Sequence, residues 1–169
     1  MTVDRLICLG IGGLSHSCSK VAHSCGCFIN WFYYLEFEMS KVGQFMSTQI
    51  YSTSPDKFAF EAVDEMYRNK VSALLVKEGE EYVGIITKTD WMFLVLKGEC
   101  DPKIMKISSV MTKLANTIDE NQTISEVCTI IETKKIRHVP VTRNGEIVGM
   151  FSVKDLEKYY LQLHKKTDF

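Results

Sequence analysis

The sequence predicts an α+β fold, helices layered on sheets, made from two copies of one β-α-β-β-α unit. Three observations carry that expectation. Tyr82–Asp90 (YVGIITKTD) returns as Ile147–Asp155 (IVGMFSVKD), displaced by 65 residues. The register runs without insertion from Met46 onward: Met46-Ser47 matches Met111-Thr112, Glu61 matches Glu126, and Val76 matches Val141. Likewise Glu81, Val83, Gly84 and Asp90 match Glu146, Val148, Gly149 and Asp155. In each copy, moreover, a helical apolar period gives way at the same place to β-branched runs. A gap-free duplication implies two supersecondary units, each too small to bury its apolar face alone. Packed together they supply one core.

Residues 1–38 precede the repeat and read differently. Gly, Ser, Cys and His alternate there with no strand or helix period, and an aromatic cluster follows over 28–37. Leu6–Ile11 is too short an apolar run, and its flanking charges cancel, so a signal peptide fits poorly. His23, Cys25 and Cys27 are metal-ligand types, but His-x-Cys-x-Cys lacks the paired CxxC spacing of a structural zinc site. Met39-Ser40-Lys41 resembles a protein start, which makes 1–38 an atypical N-terminal extension, expected to be peripheral or disordered.

The first helix of copy one keeps an apolar stripe of Ala59, Ala62, Val63, Met66 and Tyr67, with Pro55-Asp56 as first-turn signals. Its counterpart carries Ile124, Val127, Cys128 and Ile131, opened by the capping box Thr123-x-x-Glu126. Strands are expected at Val71–Val76 and Ile136–Val141. Turns follow at Glu78-Gly79-Glu80 and Asn144-Gly145, the latter a strong hairpin signal. Second strands are expected at Tyr82–Ile86 and Ile147–Phe151, and a closing helix near Asp90 and Asp155. In the second copy Leu156, Tyr159, Tyr160 and Leu163 form its buried stripe. Lys97–Ser109 links the copies, with Asp101-Pro102 as a local breaker.

Composition narrows the function classes. With 46% hydrophobic and 24% charged residues the chain is an ordinary globular protein. A net charge of −1 provides no electrostatic pull toward nucleic acid or anionic membrane. No apolar run reaches the length of a membrane span. Of the six cysteines, Cys8, Cys18, Cys25 and Cys27 crowd the N-terminus, while Cys100 and Cys128 stand alone. That spacing reads as free thiols in a cytoplasmic protein, with Cys128 buried on a helix face.

The second copy, IRHVPVTRNGEIVGMFSVKD, closely resembles the CBS domain consensus; the first, VSALLVKEGEEYVGIITKTD, is looser. The resemblance spans about residues 44–165, as CBS domains at 44–105 and 109–167. Two in tandem make a CBS pair, or Bateman module. The resemblance implies units intertwined around a pseudo-two-fold axis with clefts between them. It also implies homodimers and the binding of adenine nucleotides.

Thr87-x-x-Asp90 and Ser152-x-x-Asp155 read first as capping boxes. A helix N-terminus after a glycine-bearing strand also offers unpaired N–H groups and a positive dipole end to a phosphate. An ionised carboxylate can accept both hydroxyls of a ribose, and the resemblance assigns that role to Asp90 and Asp155. It also sets Arg137 and His138 against ligand phosphates, where the first copy has Ser72 and Ala73. His138 reads equally as a packed strand histidine. Lys88 and Lys154 are within reach of phosphate or simply solvated. By resemblance Ser52, Thr53, Asn116 and Thr117, which precede the first helix of each copy, line the adenine site; they also read as strand-end residues. Gly84 and Gly149 allow close backbone approach or tight helix–strand packing.

No nucleophile–base set, Walker loop or dinucleotide fingerprint is present, so an enzyme is not expected. The leading expectation is a regulatory module, with no required cofactor, that binds AMP, ADP or ATP and acts through dimer packing or a regulated protein partner. A ligand-free scaffold and an S-adenosylmethionine binder are the alternatives. Arg137 favours a phosphate-bearing ligand, and the second copy is expected to hold the more competent site.

Overall fold

The computed structural model describes residues 40–97, 101 and 103–165. The N-terminal extension with His23, Cys25 and Cys27, and also Cys100, lie outside the described residues. Each copy contributes a hairpin flanked by helices. In the first, β1 (Ser52–Thr53) precedes α1 (Ala59–Arg68), β2 (Ala73–Glu78), β3 (Glu81–Thr87) and α2 (Lys88–Lys97). The second runs β4 (Thr112–Lys113), β5 (Ile118–Asp119), α3 (Ile124–Lys134), β6 (His138–Arg143), β7 (Glu146–Ser152) and α4 (Val153–Lys165). The sheets are ordered β1-β2-β3-β4 and β5-β6-β7.

Local chemistry explains most boundaries. In α3 the Thr123 hydroxyl accepts from Glu126 N–H at 3.2 Å, and Glu126 Oε2 accepts from Thr123 N–H at 2.7 Å. This is the capping box expected from the sequence. Pro55-Asp56 do not open α1; they form a turn, and the helix starts at Ala59 after Glu61 accepts from Phe58 N–H at 2.8 Å. Strands β2 and β6 begin two residues later than the apolar runs suggest. The turn after each of the helices before them passes through a left-handed lysine, Lys70 (φ 56°) and Lys135 (φ 54°), and the chain needs two more residues to re-enter extended geometry. At the β6–β7 turn Asn144 (φ 53°) and Gly145 (φ 86°) both take positive φ, as a primed hairpin turn requires.

Two expected core residues are corrected. Tyr67 is 80% exposed, whereas Ala59, Ala62 and Met66 are buried. Each helical residue turns the side chain by about 100°, which leaves Tyr67 about 100° away from Met66 and off the stripe. On α4 the buried line is Asp155, Tyr159 and Leu163, and Tyr160 points outward for the same reason. Cys128 is half-buried, and burial raises its thiol above the usual value.

The copies exchange their leading segments. Ser47 bridges Met150 of β7, and reciprocally β4 pairs with β3, Thr112 opposite Ile85. Lys41 bridges Thr123 while Phe58 bridges Lys106. Val42 N–H donates to Gln122 O at 2.8 Å, and Ile107 N–H to Lys57 O at 2.9 Å. Every member of these pairs is the other's equivalent at the 65-residue offset, so the units are intertwined about a pseudo-two-fold axis. Cores follow the exchange: Ile107 is buried with Ala62, Met66, Leu74, Val76 and Ile86 of the first copy, backed by Val110 and Met111. On the other side Phe45 meets Tyr159 edge-on at 4.8 Å. Gly84 and Gly149 make room for the exchange, since a Cβ on Gly149 would lie 2.6 Å from Met46 Sδ and 2.8 Å from Ser47 O.

Candidate functional site

A cleft of about 430 Å³ opens where the exchanged segments meet. One wall comes from the second copy: Ser152, Lys154, Asp155 and Lys158 at the start of α4, with His138 and Met150 from the hairpin below. The opposite wall comes from the first copy, through Ser47, Gln49, Ile50 and Tyr51 before β1 and Lys70, Val71, Ser72 and Ala73 at the entry to β2; Lys88 completes it.

Asp155 is the best-held group in the cleft, 3% exposed although ionisable. Its Oδ2 accepts from Ser152 N–H at 2.9 Å and from the Ser152 hydroxyl at 2.6 Å. Its Oδ1 accepts from Lys158 Nζ at 2.9 Å. The sequence accounts for this directly: an acid three residues after a Ser at a helix start reaches back to the first free amide, and a lysine one turn on lies on the same face. Thr87 and Asp90 repeat the cap on α2 at 2.8 and 2.7 Å, with Phe93 in the place of Lys158.

Charge in the cleft is lopsided. Four lysines, Lys70, Lys88, Lys154 and Lys158, stand around one carboxylate. His138 Nε2 lies 2.9 Å from the Ser72 hydroxyl, joining the two copies across the floor. Burial, then the neighbouring Arg137 charge, lowers the His138 pKa below the usual value, and Asp155 only partly opposes them. A neutral imidazole then serves as hydrogen-bond partner to Ser72 rather than as a fixed cation.

Of the residues picked from sequence, Ser152, Asp155, His138, Lys88 and Lys154 line this cleft together; Thr87, Asp90, Arg137, Ser52, Thr53, Asn116 and Thr117 do not. Arg137 is the instructive case. Its carbonyl accepts from Val153 N–H at 3.2 Å, beside Ser152, yet the Asp155 cleft receives its facing strand from the other copy, where Ser72 occupies the equivalent position. The 65-residue equivalence assigns Arg137 and Asn116 to the surroundings of Asp90. Thr53 is buried, with its hydroxyl unpaired among the described residues. Thr117 is exposed.

Sequence reading missed Tyr51, Lys70 and Lys158. The signal for Lys158 was present as an i, i+3 partner of Asp155. Lys70 and Tyr51 reach the cleft only through strand exchange, which no local pattern encodes. Among the described residues no cluster of metal-ligand side chains occurs and no helix is long and apolar enough to cross a membrane.

The comparisons agree with this architecture. The CBS domain family model matches residues 42–97 and 107–162. The Bacillus subtilis protein YlbB is 32% identical over 123 residues, covering 70% of this chain and 80% of that one. Inosine-5'-monophosphate dehydrogenase of Staphylococcus haemolyticus is 33% identical over 125 residues, but the match spans only 24% of that enzyme. A CBS-domain containing protein from Agrobacterium tumefaciens superposes with a TM-score of 0.68 at 25% identity, covering 72% of this chain and 99% of that one. With the repeat, the exchanged strands and both matched segments in agreement, the chain belongs to the CBS domain family as a tandem CBS pair, a regulatory module.

Proposed function

We propose that this CBS pair senses an adenine nucleotide, AMP, ADP or ATP, in the Asp155 cleft and signals through a change in its packing. The observation that carries the reading is one cleft in which a buried carboxylate faces an excess of lysines. Asp155 suits a ribose diol as acceptor, and the lysines suit phosphate. Ile50, Tyr51, Val71 and Met150 offer apolar walls to a base. A CBS pair of this fold has been solved with 5'-methylthioadenosine and S-adenosyl-L-methionine. At 20% identity that likeness carries the fold alone, so the phosphate preference here rests on the lysines. Signalling requires that the ligand favour one arrangement over another through differential affinity.

The pair is further proposed to self-associate as a homodimer through α2, where Met92, Phe93, Val95 and Leu96 are all exposed. A regulated protein partner would then read the packing of that dimer.

Thermal denaturation with AMP, ADP, ATP and S-adenosylmethionine tests the sensor reading on the wild type, Asp155→Ala and Asp90→Ala. A ligand at about 100 times its dissociation constant should add ~2.7 kcal/mol of stability. The expected result is a shift with the nucleotides that Asp155→Ala abolishes and Asp90→Ala retains. No shift with any adenosine compound would overturn the sensor and leave a ligand-free scaffold.

A further inference from the structure

We infer that Lys158 determines the ligand selectivity of the Asp155 cleft, restricting it to adenosine compounds that carry phosphate. The inference rests on the nucleotide reading above and deepens it. Asp155 has two acceptor oxygens and both are engaged: Oδ2 with the Ser152 cap, Oδ1 with the Lys158 ammonium at 2.9 Å. The cap is local and short, so Oδ1 is the oxygen open to exchange. A ribose diol can take Oδ1 only by displacing or sharing the ammonium.

A neutral nucleoside offers that ammonium only water in return, so the Asp155 ion pair is given up without a replacement. A phosphate offers a stronger, charge-assisted acceptor. Lys158 therefore swings from carboxylate to phosphate as the diol takes its place, and the two halves of the ligand are recognised together. The side chain can make that move, because Lys158 is 66% exposed and held by this single described ion pair. Lys70, Lys88 and Lys154 line the same cleft and add positive charge, but none is ion-paired to Asp155 among the described residues. At the equivalent place beside Asp90 stands Phe93, so the device belongs to Asp155 and not to its equivalent.

Calorimetric titration of ATP, AMP and adenosine into the wild type, Lys158→Met and Lys158→Arg tests this, with the same set repeated in an Asp90→Ala background to remove the equivalent carboxylate. The wild type should prefer AMP over adenosine by at least about tenfold, the worth of one charge-assisted contact. Lys158→Met, which keeps the stem, should lose nucleotide affinity, hold or gain adenosine affinity, and close most of that gap. Lys158→Arg should retain it. Equal affinity of the wild type for AMP and adenosine would overturn the inference, as would a gap unchanged in Lys158→Met. Failure of all three compounds to bind the wild type would instead sink the nucleotide reading beneath it.

Discussion

His138 occupies the floor of the cleft, where its imidazole meets the Ser72 hydroxyl from the other copy. Burial and Arg137 hold its pKa below the ordinary value, and Asp155 offsets them only partly. In the unfolded chain a histidine titrates at about 6.5. Between that value and the lower folded one, the unfolded state binds the extra proton, so stability rises with pH there. The contribution is whole above about 6.5 and is lost as pH falls through the folded value. The melting temperature of the wild type should therefore drop more steeply from pH 7.5 to 5.5 than that of His138→Gln. Parallel profiles would show that His138 does not titrate abnormally. From sequence the strand histidine and its neighbour Arg137 were both visible; that His138 faces Ser72 of the other copy while Arg137 stays out of that cleft was not. Arg137 ends the loop before β6 and His138 opens the strand, and which partner each meets is a tertiary matter.

At the scale of elements, the exchanged strands explain Gly84 and Gly149. Neither has positive φ, so neither is required for backbone freedom. Each is required for space: a Cβ on Gly84 would meet Met111 Sδ at 2.7 Å and Thr112 O at 2.9 Å, mirroring the approach at Gly149. Methionine can move aside, but the backbone carbonyl is fixed by its own ladder bond. Gly149→Ala should thus force the Ser47 bridge apart, lowering stability by about 1–3 kcal/mol. In urea unfolding the midpoint should fall with little change in slope. An unshifted midpoint would mean the leading segment is not held against β7. Helices and hairpins themselves were largely legible, because the Thr123 box, Asn144-Gly145 and the α1 stripe are local signals. Strand starts were misplaced by two residues where a left-handed lysine, rather than glycine, followed the helix.

At the scale of the molecule, α2 and α4 are equivalents with different surfaces. Where α2 shows Met92 and Phe93, α4 shows Glu157 and Lys158. Apolar side chains clustered on one helix mark a surface that gains by being covered. Leu96, 78% exposed, lies at the end of that row. If α2 is the dimer face, Leu96→Glu should convert a sedimenting dimer to a monomer without a loss of helical signal. A dimer that survives the substitution would assign self-association to another face.

The sequence by itself determined the duplication, the β-α-β-β-α order, the capping acids at Asp90 and Asp155 and the family, because these depend on residues close together in the chain or repeated at a constant offset. Only the tertiary structure decided which copy faces which. The lead segments 40–47 and 105–112 cross to the opposite unit, as neither hairpin can bury its face alone. The cleft at Asp155 therefore draws Ser72, Lys70 and Tyr51 from the first copy and leaves Arg137 outside. The second copy holds the closer family pattern, but the cleft is a property of both, since its walls lie 50 or more residues apart in the chain and meet only through that exchange.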